Sequence, residues 1–224
     1  MKYLKLVVAF TTLFLVTSCV TTVPITKEFY GTTKVGVIIQ MDENASVIKA
    51  STDGRVEKIT ATDNRFHIGL EKVKSKIVFK DILKKEIFNT LTVKNKSFEM
   101  ISDNFNDTDL KKFKTPDIEK EYSKSDFRFM KEKHNVDEIL FVKVNHYGLL
   151  LVYSGVLLAT KKGSVIMHTQ VIDLKDNSLL QQKLFETNVK IKGNWKSDGE
   201  YTNLQTAIQT AIDKSILKFK QRLQ

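Results

Sequence analysis

The sequence predicts an α/β (α+β) protein: a mainly antiparallel sheet of about five strands, with two or three amphipathic helices packed on it. Three observations carry this prediction. Apolar residues recur at three- and four-residue steps over 73–91 and 202–223, the spacing that puts them on one helical face. Short β-branched or alternating runs occur near 34–40, 46–60 and repeatedly between 137 and 189. The last of these runs are joined by short turns, which favours an antiparallel meander over a βαβ repeat.

In chain order, Lys34–Gln40 (KVGVIIQ) reads as a buried strand. Ser46–Ala50 and Arg55–Thr60 alternate around Asp53-Gly54, a pair suited to a hairpin turn. Val73–Leu91 has apolar residues at 73, 77, 78, 82, 83, 87 and 91, which predicts one helix. Phe98–Ile101 is a short strand candidate, and the polar stretch 102–115 reads as a loop. Thr115 as N-cap and Pro116 at the first position, with Asp117 and Glu119 in the first turn, predict a helix to about Lys133. Four strands are then expected at 137–145, 148–159, 164–173 and 179–189, with turns at Lys161–Gly163 and Lys175–Ser178. A polar loop at 190–199 carries the only tryptophan, and a helix from about Thr202 to Leu223 closes the chain.

The amino terminus reads as an address. Lys2 and Lys5 precede an apolar run of 11 residues, Leu6 to Val16. That length suits a signal-peptide core and falls short of the ~20 residues a spanning helix needs. Val16-Thr17-Ser18-Cys19 resembles a bacterial lipobox. In proteins with that signal the thiol is acylated with diacylglycerol, the chain is cut before it, and the new amino terminus is usually acylated again. One acyl chain anchors only marginally, so two or three are needed to hold a domain on a membrane. The expected organisation is a signal peptide over 1–18, lipidated Cys19 with a tether to residue 33, and a single periplasmic domain over 34–224. Val20 follows the cysteine where an aspartate would favour inner-membrane retention, so the expected location is the periplasmic face of the outer membrane.

The 224 residues carry a formal charge of +10 and a single cysteine. One cysteine excludes an internal disulfide framework and any two-cysteine metal site. Losing Lys2 and Lys5 with the signal peptide lowers the charge from +10 to +8. In the periplasm such a charge suits an anionic envelope polymer or lipid, or solubility alone, and nucleic acid is not expected as a partner. His67, His134, His146 and His168 show no metal-ligand spacing. Gly-x-Ser-x-Gly, P-loop and Gly-x-Gly-x-x-Gly patterns are absent. Asp173 and Asp176-Asn177 fit turn chemistry. No enzyme, catalytic residue, metal or cofactor is therefore expected. The lysines of the first helix form a solvated face or bind an anionic polymer.

Tyr147–Ala159 (YGLLLVYSGVLLA) is uncharged and apolar in both alternating registers. It can be a central strand covered on both sides, an edge that pairs with another molecule, or part of a membrane-inserted hairpin. Trp195 beside Gly193 and Asn194 is either an interface anchor or a loop tryptophan folded onto the domain. Tyr147, Leu149, Leu151, Tyr153 and Trp195 are accordingly the candidate partner-binding residues.

The order of features resembles a group of envelope lipoproteins and related domains: CsgG-like secretion-channel lipoproteins, the TolB amino-terminal domain, and lipoprotein activators of penicillin-binding proteins. The residues that carry the resemblance are Lys34–Gln40, Val136-Asp137-Glu138-Ile139-Leu140, Val165–Leu174 with its Asp-Asn turn, and the closing helix 202–223. It implies a non-enzymatic, lipid-anchored envelope protein that binds a protein partner or itself in assembly or secretion. Stretches 46–68 and 102–115 have no clean counterpart in that layout, and long membrane-spanning hairpin segments are not evident, which argues against a pore. An oligomeric channel subunit and a binder of anionic wall polymer or lipid remain the alternatives.

Overall fold

The computed structural model describes residues 21–31, 33–51, 55–59, 64–102, 106–116, 120–196 and 199–223. The expected signal segment, Cys19 and the expected turn at Asp53-Gly54 lie outside these residues. Among the described residues seven strands form one sheet: β1 Val35–Met41, β2 Ser46–Ser51, β3 Val56–Lys58, β4 Phe98–Met100, β5 Glu138–Ser154, β6 Leu157–Asp173 and β7 Leu179–Lys190. The helices are α1 Asn64–Lys74, α2 Lys80–Val93, α3 Met130–His134 and α4 Thr202–Arg222.

The mixture of helix and sheet is as expected, but the sheet is mixed and not mainly antiparallel. The hairpin partners β5, β6 and β7 run antiparallel, as does β3 on β2. The pairs β1–β5, β1–β4 and β2–β5 are parallel. Helices cover the connections that return β1 and β2 to β5, which is how parallel neighbours are joined. The 17-residue β5 is the spine. Its first half pairs with β1, its second half with β2, and its whole length with β6.

This arrangement corrects the expected strand boundaries. Asn145–Gly148 is not a break between strands. A bulge between Val144 and His146 marks the place where β5 changes neighbour from β1 to β2. Gly148 sits there at φ +134°, and a Cβ on it would lie 2.3 Å from the Ser46 carbonyl oxygen. The hairpin turn is at Gly155-Val156, so the expected strand 148–159 spans it. Lys161–Gly163 lies inside β6, where Gly163 lets α4 approach the sheet. A Cβ at 163 would be 2.3 Å from the Ala207 backbone. The Lys175–Ser178 turn holds, with the Asp173 and Asp176 carboxylates accepting the amides of Lys175 and Ser178.

Helices α1, α2 and α4 cover one face of the sheet. The main core there includes Val35, Val37, Leu140, Val142, Leu83, Ile87, Leu91, Ile208, Ile212 and Phe219. The single helix expected over 73–91 is two, separated at Ser75–Phe79. Phe79 leaves the helical path to pack edge-on against Tyr147 at 5.4 Å, and the β-branched Ile77 and Val78 beside it favour extended backbone. A smaller core lies on the other face, over the start of β5, with Phe127 and Met130 on Ile139, Phe141 and Ile172.

The helix expected from Pro116 to Lys133 is reduced to α3. The described residues before it are irregular, because a side chain organises them instead. Asn177 is fully buried at φ 67°; its amide donates to the Ser123 and Ser125 carbonyls and its oxygen accepts the Phe127 amide. Bridges of Lys112 to Ser125 and of Tyr122 to Ser178 complete that patch.

Candidate functional site

The candidate partner-binding residues are largely interior. Leu149 and Leu151 have no exposure and Tyr147 has 7 %. They face the helices and belong to the main core, with the half-buried Tyr153 packed against it. Trp195 is 9 % exposed, with its ring 5.4 Å from Phe66 and 5.3 Å from Tyr201. Gly69 of α1 makes the room; a Cβ there would lie 2.8 Å from both Trp195 and Tyr201. The tryptophan thus folds the 191–196 loop onto α1 and α4. Residues 147–151 lie in a central strand between β2 and β6, with helices on one of its faces and not on both as the covered-strand reading of Tyr147–Ala159 had it. The apolar side chains left exposed are elsewhere, including Phe88, Val93 and Met100 near α2 and β4, and Val156 and Leu157 at the β5–β6 turn.

The geometry most relevant to function is the amino-terminal seam. Residues 21–31, expected as part of a tether, lie along the domain. Val23 exchanges backbone hydrogen bonds with Gln182 at 3.0 Å each way, and the Thr26 amide donates to the Leu180 carbonyl. The Gln182 side-chain amide donates to the Thr21 carbonyl at 2.9 Å, and Arg222 of α4 donates to the Val23 carbonyl at 3.1 Å. The segment thereby occupies part of the outer edge of β7, which would otherwise present unpaired backbone groups. Phe29, in a 3-10 turn at Lys27–Tyr30, is 1 % exposed and enters the main core.

A buried ion pair fastens the end of this seam. The Lys96 ammonium donates to Glu138 Oε2 at 3.1 Å, Thr33 Oγ1 at 2.6 Å and the Gly31 carbonyl at 3.2 Å, and lies 4.8 Å from the Phe29 ring centre. The Thr33 hydroxyl donates to Glu138 Oε1 at 2.8 Å. Both charged side chains are almost fully buried, at 1 % and 4 % exposure. Burial pushes the Glu138 carboxyl up from its ordinary value, while the bonds from Thr33 and Lys96 draw it back. No sequence motif marks this pair. Its one signal is a glutamate at the head of the apolar run 138–142, a position buried when both sheet faces are covered.

Beside the seam is a cavity of about 250 Å³ whose wall includes Thr21, Tyr122, Ser123, His168, Gln170 and Gln182. Burial lowers the His168 pKa. His146 lies further along the same sheet face, with Nδ1 3.0 Å from Ser46 Oγ. Burial, and then the Lys58 charge, lower its pKa to about 4. At neutral pH this imidazole is uncharged in both the folded and unfolded states. As pH falls below 6.5 the unfolded chain takes the proton first, so stability falls until pH reaches about 4. Unfolding midpoints in urea should therefore show a loss of about 2 kcal/mol between pH 7 and pH 5 that His146→Gln removes. Among the described residues no group of three or more His, Cys, Asp or Glu side chains is placed to hold a metal, and no helix is long and apolar enough to cross a membrane.

In comparisons with known proteins, no family model and no curated protein sequence matches this chain. Solved structures do resemble it. Protein XCC0632 of Xanthomonas campestris, described under the family model DUF330, is 8 % identical over 90 % of each chain, with a TM-score of 0.42. A PelC dodecamer of Paraburkholderia phytofirmans, in a singly substituted form, is 10 % identical, over 86 % of this chain and 88 % of its own, with a TM-score of 0.34. Lipoprotein GNA1162 of Neisseria meningitidis is 9 % identical, over 80 % of this chain and 99 % of its own, also at 0.34.

Proposed function

We propose that this chain is a non-enzymatic lipoprotein on the periplasmic face of the outer membrane. It is acylated at Cys19 and binds an envelope protein or a second copy of itself in assembly or secretion. The carrying observation is the amino-terminal sequence: two lysines, an 11-residue apolar core and Val-Thr-Ser-Cys19 in register. The seam gives this reading its mechanical sense. Thr21, two residues beyond the cysteine, is already bonded to Gln182, so little free chain separates the acyl groups from the domain. A lipid at Cys19 would hold the domain close to the bilayer. Pull on the anchor would be borne by the β7 edge and by the Lys96–Glu138 pair.

Mass spectrometry of the amino-terminal peptide from membrane-extracted protein should find it beginning at a diacylglyceryl Cys19. Cys19→Ser should abolish metabolic palmitate labelling and release the protein from the membrane fraction. An unmodified cysteine, or unchanged fractionation of the variant, would sink the anchor reading. Crosslinking in intact cells should then capture either an envelope neighbour or the chain itself.

A further inference from the structure

The cavity beside the amino-terminal seam holds polar groups for which the fold has no use. Tyr122 and His168 both line it, and the Tyr122 hydroxyl and His168 Nε2 are buried without a hydrogen-bond partner. Ser123 and Gln170, on the same wall, are 2 % and 8 % exposed, and Tyr122 is 8 % exposed, so none of them is ordinary surface. A buried donor or acceptor left unpaired costs free energy, which a bound molecule that supplies the missing bond offsets.

The wall decides what kind of molecule that is. Its charges cancel. Asp107 is paired with Lys143 at 2.6 Å, and Glu121 and Lys124 are exposed and opposite in sign. Burial lowers the His168 pKa, so the imidazole is uncharged at neutral pH. An ion entering here would lose hydration with no excess of opposite charge to meet it. The rest of the wall combines hydroxyl, imidazole and amide groups with the rings of Phe127 and Phe141. Water alone suits the first set and not the second. A sugar ring suits both, since its hydroxyls radiate outward while its C–H groups form an apolar face that packs on aromatic rings. The volume of about 250 Å³ lies below the roughly 300–1,000 Å³ of pockets for drug-sized ligands, which limits the occupant to a single ring.

We infer that this cavity binds an uncharged, hydroxyl-rich ligand of one sugar ring, with Tyr122, His168 and Gln170 as its hydrogen-bonding wall, and that binding fastens the amino-terminal seam. The site needs no lipid anchor and goes beyond the partner binding proposed above. Gln182 links it to the seam. Its side-chain oxygen accepts the Gln170 amide at 2.6 Å, its own amide donates to the Thr21 carbonyl at 2.9 Å, and its backbone pairs with Val23. Thr21 is itself part of the wall. The ligand therefore meets a complete site only while the seam is docked, and by mass action it stabilises the docked form.

Calorimetric titration of the full chain, in a zwitterionic and sugar-free detergent at pH 7, tests the site. Glucose and N-acetylglucosamine are the neutral probes, and glucuronate and glucosamine the charged ones. At least one neutral probe should bind at a single site, and the charged probes should bind about tenfold more weakly or worse. Tyr122→Phe and His168→Leu remove the two unpaired atoms, and each should weaken the neutral probe several-fold. Without probe, Tyr122→Phe should keep the wild-type urea midpoint, because its hydroxyl bonds nothing within the protein. The bound neutral probe should also slow trypsin cleavage after the exposed Lys27. The site is overturned if neither neutral probe binds, if the charged probes bind as well, or if both variants bind like wild type. Binding that leaves cleavage after Lys27 unchanged overturns the hold on the seam.

Discussion

Lys96→Met should destabilise the domain by about 3–5 kcal/mol in urea unfolding at pH 7, the cost of leaving a buried charge without its partner. The geometry explains the size. The ammonium satisfies Glu138, the Thr33 hydroxyl and the Gly31 carbonyl at once, and the two charged side chains are themselves almost fully buried. Methionine keeps most of the volume and removes every donor. Glu138 would then lose a bond that lowers its pKa, and its carboxyl would rise further above its ordinary value. A carboxyl raised in the folded state takes up a proton before the unfolded chain does. The penalty is therefore full above the raised folded pKa and shrinks as pH falls through it. The gap between wild type and variant should narrow on acidification; a gap that widens would contradict the assignment. Because Gly31 and Thr33 are held by the same ammonium, the variant should also be cut faster by trypsin after Lys27, which is exposed in the seam. Lys96→Met combined with Glu138→Leu should recover much of the stability, since neither charge then remains buried.

Leu149→Ala should cost about 2–5 kcal/mol by the same measurement, as large-to-small changes in a packed core do. The side chain has no exposure and belongs to the core formed between the sheet and its covering helices. A residue that formed part of an exposed partner face would lose a few tenths at most on truncation, because surface changes away from special features fall within about ±0.5 kcal/mol. The measurement therefore separates the two meanings of the apolar run directly. Leu157→Ala at the hairpin turn, 72 % exposed, is the matched comparison and should leave the midpoint nearly unchanged.

The contrast between Leu149 and Leu157 shows how far a sequence can be read. Both sit in one uncharged stretch, and pattern alone gives them the same status. The difference arises because β5 turns at Gly155 and because α4 covers only one face of the sheet. Where the turn falls depends on which residues find partners on β2 and β6, a long-range property that no local window contains. Gly163 misleads for the same reason. Glycine beside two lysines reads as a turn locally, whereas in the fold it is the gap that admits Ala207 of α4. Trp195 is open between anchor and core in the sequence because its burial depends on Gly69, far away in the chain. The buried ion pair shows the limit most clearly. Lys96 sits among other lysines in a polar stretch, and nothing in its neighbours marks it as interior. Its role exists only once the loop after α2, the head of β5 and the amino-terminal seam meet.

What the sequence determined by itself is what local physics can decide. The closing helix follows from apolar spacing and matches Thr202–Arg222 closely, because a 21-residue amphipathic pattern can satisfy its backbone and bury its stripe in only one way. The first strand follows from a β-branched run, and the Asp173–Ser178 turn follows from side chains that bond their own backbone. The address proposed for residues 1–19 rests on a local pattern of the same kind: charge, apolar length and one thiol. The tertiary structure alone decided the direction of the strands, the change of neighbour at the β5 bulge, the docking of residues 21–31 on β7 and the burial of Lys96. Each of these compares the free energies of contacts between segments distant in sequence, and a strand of given composition pairs equally well in either direction until its neighbours are in place.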